Sequence, residues 1–462
     1  MIRLNTACSP AKILLAVART LRFPAVQEED HSGWRRWFLP FLLANFCFSR
    51  RLACPPSLQI HLVSLLLLST SALLAQPATI SDLSLSLRAR KIHRSALVID
   101  AHADTPQRLL FESNFDIGKM HDDGHIDIPR LRAGGVDAQF FSIWVPSTLT
   151  GPPAIKRVLD LIDTVRGAVR THPQDLVLAT TAAEIRRAVT QGKIATLMGM
   201  EGGHMIDDDL RVLRTYAVLG VRYLTLTHFL NNNWADSSTD KPAHNGLTSL
   251  GQDVVRELNR VGMIVDISHV SDKTFYDALS VTQAPVIASH SSCRSISNHV
   301  RNLSDDMLRV LAKNGGVIMI NYESSFLSEE YRKELEALGG DIVAQFSAME
   351  KKCGGDEACV TLSTSRASRE MMDSGKLPRV TWEKIIQHID HAVKVAGIDH
   401  VGLGSDFDGA TMPIGMEDAS KLPQITEALL QKGYSQQDIG KILGGNLLRV
   451  MEQVESVSRS LQ

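Results

Sequence analysis

The chain has 462 residues, 44% of them hydrophobic, with 49 Lys and Arg against 51 Asp and Glu and a formal net charge of −2. That length suits one barrel of about 250 residues or more with insertions, or two smaller domains. The near-neutral balance excludes the basic field on which nucleic-acid binding depends, so no nucleic-acid partner is expected. No phosphate-cradling glycine loop stands out, because Gly402-Leu403-Gly404 reads as a strand end without the helix opening of a dinucleotide fingerprint.

The first 80 residues differ from the rest. Residues 34–48 and 62–75 are two apolar stretches separated by Ser49-Arg50-Arg51. The second has a basic flank upstream, the length of a signal h-region and small residues ending at Ala75, which predicts export with cleavage near Ala75. It is shorter than a full span, and a retained signal anchor, a membrane tether, is the alternative reading. Arg35-Arg36 also resembles a twin-arginine signal. Cys8, Cys47 and Cys54 fall in this leader, leaving Cys293, Cys353 and Cys359 to a mature protein. Cys353 and Cys359 bracket a Gly-rich loop and are expected to form a disulfide in an oxidising compartment, with two free thiols as the alternative.

From about residue 84 to 458 the pattern predicts alternating strands and helices. Strands are expected at 96–100, 138–145, 194–200, 222–227, 263–268, 284–289, 316–321 and 400–405, and helices at 154–168, 206–219, 250–261 and 304–314. In 250–261, Val254, Val255, Leu258 and Val261 make one apolar stripe at helical spacing. Eight βα units predict a closed parallel (β/α)8 barrel of the α/β class, with a doubly wound open sheet as the rival. Residues 322–381, between the seventh and eighth predicted strands, form a long insertion with a charged helical stretch, the cysteine loop and a Ser/Arg-rich segment. A connection of that length is usually functional, and it is read as a partial lid over the barrel mouth.

His102 and Asp104 in VIDAHADT, Glu201 in MEGG, His269 in IVDISHVS and His290 in VIASHSS each follow a short apolar run, at the strand ends where barrel enzymes keep their chemistry. Three imidazoles and two carboxylates converging from around a ring suit a two-metal site, in which a bridging carboxylate such as Glu201 holds two divalent ions roughly 3.5–4 Å apart. Any one of these residues alone would more often be a hydrogen-bonded structural group. His121, Asp122, Asp123, His125 and Asp127 imitate a metal loop but precede Pro129 in a solvated turn, and His204 reads as a helix opener or a supporting residue.

The runs VIDAHADTP, IPRLRAGGVDAQFFS, EGGHMI, GVRYLTLTHFLNNNWADS, ELNRVGMIVDISHVS, APVIASHSS, VRNLSDD, GLGSDFDG and NLLRVMEQVE closely resemble the membrane (renal-type) dipeptidases, peptidase family M19. The resemblance covers roughly residues 92–455 apart from the insertion. It implies an amidohydrolase-like zinc dipeptidase with two Zn2+ per chain, one held by His102, Asp104 and Glu201 and the other by Glu201, His269 and His290. It further implies that His228 contacts the substrate and polarises the scissile carbonyl, that Arg301 binds the substrate carboxylate, and that Asp406 is the acid/base residue. The residues alone leave alternatives: His228 as a core histidine satisfied by Asn231 to Asn233, Arg301 as a surface arginine, and Asp408 in place of Asp406, two residues along a supposed extended strand. The insertion departs from the family pattern, and no apolar tail follows Leu461, so a GPI anchor is not expected. The expected reaction is attack of a metal-bridged hydroxide on the peptide bond of a dipeptide. Rival readings are hydrolysis of an N-acyl amino acid, lactone or cyclic amide, and a metal-binding protein without turnover. A homodimer is also left open.

Overall fold

Residues 85–462 are described by a computed structural model, and the leader readings lie outside the described residues. Nine parallel strands follow in chain order: β1 Ile99–Ala103, β2 Ala138–Trp144, β3 Leu176–Leu178, β4 Ile194–Glu201, β5 Val221–Thr225, β6 Ile264–Asp266, β7 Ile287–Ser291, β8 Val317–Ile320 and β9 Val401–Leu403. Eight of them close a ring in the order β1-β2-β4-β5-β6-β7-β8-β9, and Leu403 of β9 pairs back onto Asp100 of β1. The fold is therefore a (β/α)8 barrel, since a doubly wound sheet would keep two open edges. β3 was not anticipated. It pairs with the start of β4, Leu176 beside Ile194, ahead of the stretch from Met198 onward that β5 takes. Two of its three residues are only partly buried, and no polar motif follows it such as marks the ends of the equally short but fully buried β6 and β9.

Both faces of the barrel strands are covered, which is why they read as apolar runs rather than alternating ones. Every residue of β2 and β4 is buried. The helix Ser249–Val261 starts at Thr248, whose side chain accepts from the Gly251 N–H, and buries Val254, Val255 and Leu258 against the sheet. Full burial of each such side chain contributes about 1.5–3 kcal/mol. Ser304 caps Asp305–Asn314 in the same way, with Asp305 and Asp306 at the positive end of the helix dipole.

Three corrections to the predicted boundaries bear on the site. β1 and β7 lie about three residues later than 96–100 and 284–289, so His102 and His290 stand within their strands. β5 stops at Thr225 rather than 227, which leaves His228 on the loop beyond it. β9 ends at Leu403, and Asp406 and Asp408 both adopt left-handed backbone at φ 62°, so they do not share a face of an extended strand. An apolar run locates a strand, but its ends are set by where the neighbouring strand stops offering partners.

The insertion consists of the helices Ser324–Leu327, Glu329–Ala337, Gly339–Cys353 and Glu357–Asp373, ahead of the barrel helix Glu383–Ala396. The Ser/Arg-rich segment is thus helical. Asp356 caps Glu357–Asp373 by accepting from the Cys359 N–H, and a disulfide joins Cys353 to Cys359 across the turn between the two helices. Among the described residues, no helix is long and apolar enough to cross a membrane.

Candidate active site

The barrel brings His102, Asp104, Glu201, His228, His269, His290, Arg301 and Asp406 to one mouth. Seven of them line one cleft of about 550 Å3, and His102 is fully buried against two of these, Asp104 and Glu201. Glu201 ends β4, is 3% exposed, and turns its two oxygens in different directions. Oε2 accepts from the Ser142 hydroxyl at 3.0 Å and lies 3.4 Å from His102 Nε2. Oε1 lies 2.9 Å from His269 Nε2, 3.1 Å from His290 Nε2 and 3.8 Å from His228 Nε2. Asp104 Oδ1 stands 3.3 Å from His102 Nε2, and Asp406 Oδ1 stands 4.0 Å from the same nitrogen.

The tautomers follow from the hydrogen bonds around the rings. Ser289 Oγ donates to Asp266 at 2.6 Å, so it accepts from His290 Nδ1–H at 2.8 Å and leaves His290 Nε2 a bare lone pair. Tyr223 OH donates to the Ala101 carbonyl at 3.3 Å and accepts from His102 Nδ1–H at 2.9 Å, with the same result for His102 Nε2. Tyr223 reaches this point because residue 199 is glycine, where a Cβ would lie 1.8 Å from the tyrosine ring.

Each of these lone pairs faces a Glu201 oxygen. His269 Nε2 and His290 Nε2 are only 2.9 Å apart beside Glu201 Oε1, and burial holds both imidazoles well below their usual pKa and hence neutral. His102 Nε2 and Asp104 Oδ1 are buried without a hydrogen-bond partner. Gly409 keeps the second cluster open, since a Cβ there would meet Asp406 Oδ1 at 2.4 Å and Asp104 Oδ2 at 2.6 Å. Buried acceptors that converge in this way, His290 Nε2 beside Glu201 Oε1 and His102 Nε2 beside Asp104 Oδ1, are stable only with a cation in their midst, a shared proton or a metal. The donor set therefore fits divalent metal. Three groups with ligand spacing overlap here: His102, Glu201 and His290; Glu201, His228 and His269; His102, Asp104 and Asp406.

Backbone strain collects at the same place. His269 has φ 65° and Asp406 φ 62°, left-handed values that cost energy in non-glycine residues and cluster at functional sites. The turn carrying Asp406 stays laced to β1, because its N–H donates to the His102 carbonyl at 3.1 Å and Asp104 N–H donates to the Phe407 carbonyl at 2.8 Å. Asn321, just past β8, donates to Asp406 Oδ2 at 3.0 Å. Burial, together with the nearby Asp104 and Glu201 charges, lifts the Asp406 carboxyl to about 7. Asp408 is spoken for by a different set: it accepts from Thr105 Oγ1 at 2.6 Å and from His125 N–H at 2.6 Å. The His121 to Asp127 loop is a brace, with His125 Nδ1 accepting from the Asp408 N–H, and Asp127 capping and pairing with Arg130. His204 lies in the short 3-10 turn Gly203–Ile206 and joins none of the three groups.

His228 and Arg301 have the burial of site residues. Asn231 and Asn233 bond the Lys241 carbonyl and Asp208, and Asn232 the Leu226 carbonyl, so none of them satisfies the His228 ring. His228 Nδ1 is unpartnered, and burial drops its pKa to about 4. Arg301 is 3% exposed, donates to the His290 carbonyl at 3.2 Å and keeps Nε unpartnered. Asn321, Ser142, Tyr223 and Ser289 were missed in the sequence. Only Asn321 carried a signal, as a polar residue just past an apolar run.

Residues 86–462 match the family model of the membrane dipeptidases, peptidase family M19. The chain belongs to this family. Among solved structures, this M19 member is similar to the probable dipeptidase PvdM from Pseudomonas aeruginosa, at 27% identity and a TM-score of 0.69 over 83% of this chain and all of that one. It is also similar, at 27% identity and a TM-score of 0.62 over 78% of this chain and 99% of the other, to a metallopeptidase from Rhodobacter sphaeroides solved with a phosphinate mimic of the dipeptide L-Ala-D-Ala. A dipeptidase of family M19 matches at 27% identity and a TM-score of 0.63 over 78% of this chain and 98% of its own.

Proposed function

We propose that this M19 metallopeptidase hydrolyses free dipeptides with two zinc ions, one held by His102, Asp104 and Glu201 and the other by Glu201, His269 and His290. The observation that carries this is the divided reach of Glu201, with Oε2 toward His102 and Oε1 toward His269 and His290. When bound, the ions supply a nucleophile at neutral pH and Lewis-acid polarisation of the carbonyl. The side chains supply the rest. His228, neutral through burial, donates an N–H to the carbonyl oxygen as negative charge builds on it. Asp406 takes the proton of the attacking water at Oδ1 and returns it to the leaving amine, while Asn321 holds Oδ2. Arg301, with Nε free and its guanidinium buried, pairs with the substrate's C-terminal carboxylate.

The insertion serves as a partial lid, since Glu350, Glu357, Val360 and Thr361 line the same cleft as the ligand residues. Export to an oxidising compartment is supported by the Cys353–Cys359 bond. The test is turnover of a panel of dipeptides and N-acyl amino acids by protein stripped with chelator and reloaded with zinc. Dipeptides should be cleaved and N-acyl amino acids spared. Preferential cleavage of the N-acyl compounds would move the assignment to the wider amidohydrolase chemistry, and no turnover of either would leave a metal-binding protein.

A further inference from the structure

The cleft is polarised from end to end. Arg301 follows β7, three strands round the ring from β1, and its Nε is buried and unpartnered at the cleft wall, which calls for an anionic group on the ligand. The helix Glu357–Asp373 roofs the other side. It packs against the helix Thr105–Phe111 that follows β1, and it is tied to the loop after β9 by Ser365 Oγ donating to the Ala410 carbonyl at 3.2 Å and by Arg369 pairing with Glu417 at 2.7 Å. Glu357 from this roof and Glu350 from the preceding helix Gly339–Cys353 line the cleft.

The third acid of the wall, Glu323, is already used, since its two oxygens accept from the Ser325 and Thr411 N–H groups. Glu350 and Glu357 are different. Neither has an ion-pair partner among the described residues, and the two repel each other closely enough to raise the Glu357 pKa, with burial the larger cause. Arg157 is the one cation acting on Glu357, and it is stacked over the Phe111 ring at 4.9 Å. Glu357 in the first turn of its helix gains from the dipole, whereas Glu350, exposed in the last turn of Gly339–Cys353, lies at the negative end of its helix, where a carboxylate is disfavoured. A pair of repelling carboxylates at one end of a cleft whose other end awaits an anion fits a ligand with a cation far from its carboxylate.

We infer that Glu350 and Glu357 select dipeptides whose N-terminal residue has a cationic side chain, lysine or arginine. This rests on the dipeptidase reading, in which Arg301 takes the C-terminal carboxylate and so turns the N-terminal residue toward the insertion. Norleucine matches lysine in length without its charge, so the Lys-Ala and norleucine-Ala pair isolates the charge. Calorimetry with the phosphinate analogues of both dipeptides on zinc-loaded protein should give about tenfold tighter binding of the lysine compound, as expected for a partly screened charge pair. kcat/KM for the dipeptides themselves should follow. In E350Q/E357Q the ratio should fall to about two or less, with the affinity for the norleucine analogue unchanged. Equal affinities in the native protein, or a preference that survives the double substitution, would overturn the inference while good turnover of norleucine-Ala left the dipeptidase reading intact. Failure to hydrolyse either dipeptide would bring down both.

Discussion

Glu201 is the residue on which the two halves of the site depend, because each of its oxygens faces a different set of imidazoles. Glu201→Gln replaces one oxygen with an NH2 that no metal accepts. Elemental analysis should find metal content well below that of the native protein, with turnover abolished and circular dichroism unchanged; two metals per chain and full activity would remove the bridging role. Arg301 makes a sharper test of substrate reading. Losing a charge-assisted hydrogen bond costs about 1.5–3 kcal/mol, roughly tenfold to more than a hundredfold in kcat/KM. Arg301→Ala should impose that loss on free dipeptides and little of it on dipeptide amides, measured as a double-mutant cycle. Equal losses would show that the guanidinium does not meet the carboxylate. At this scale the ligand-type residues were legible because each follows an apolar run, whereas Ser142, Tyr223 and Ser289 lie inside such runs, where a polar residue looks like any other buried side chain. Asp406 and Asp408 could not be told apart by spacing, since the distinction lies in a left-handed turn and in the partners each finds across the barrel.

The insertion is the element least readable in advance. Its amphipathic pattern is weak because its helices bury little: Glu357–Asp373 buries Ala358, Ala367, Ser368, Met371 and Met372. What fixes this element is the Cys353–Cys359 bond and its anchoring to the loop after β9. Replacing both cysteines with serine releases the turn between two helices and should lower the protease resistance of residues 339–373 with little change in the barrel's thermal midpoint, since a loop this short constrains the unfolded chain by only about 2 kcal/mol. Limited proteolysis with mass mapping reads the difference, and an unchanged cleavage rate in the insertion would show that the bond does not stiffen it.

At the scale of the molecule, one buried histidine joins barrel and insertion. His388, on Glu383–Ala396, accepts from the Cys293 N–H through Nδ1 at 3.0 Å and donates from Nε2 to the Leu327 carbonyl at 3.1 Å. Protonation of Nδ1 would destroy the first bond, and burial lowers its pKa from 6.5 to about 4. The unfolded chain therefore takes up this proton first as pH falls. The stability that the neutral ring secures is complete above about 6.5 and is lost as pH falls from there toward 4, about 2 kcal/mol of it between pH 7 and 5. His388→Gln keeps an acceptor and a donor without titrating, so urea unfolding at pH 7 and 5 should show a smaller drop than in the native protein. An identical drop would remove His388 from the acid response.

The sequence by itself determined the barrel and the residue types at its mouth, because parallel strands covered on both faces must be continuous apolar runs and whatever polar residue ends such a run emerges at the same rim. The helices flanking the barrel were legible for the same local reason, through their caps and apolar stripes. Tertiary structure alone decided which carboxylate faces His102, what His102 and His290 bond through Nδ1, and that Arg301 is buried beside the site rather than solvated on a loop. Those outcomes depend on side chains about three hundred residues apart in the chain meeting in one small volume, as where Ser405 donates to Asp100 across 305 residues. No window of sequence contains both partners, so local pattern cannot express them.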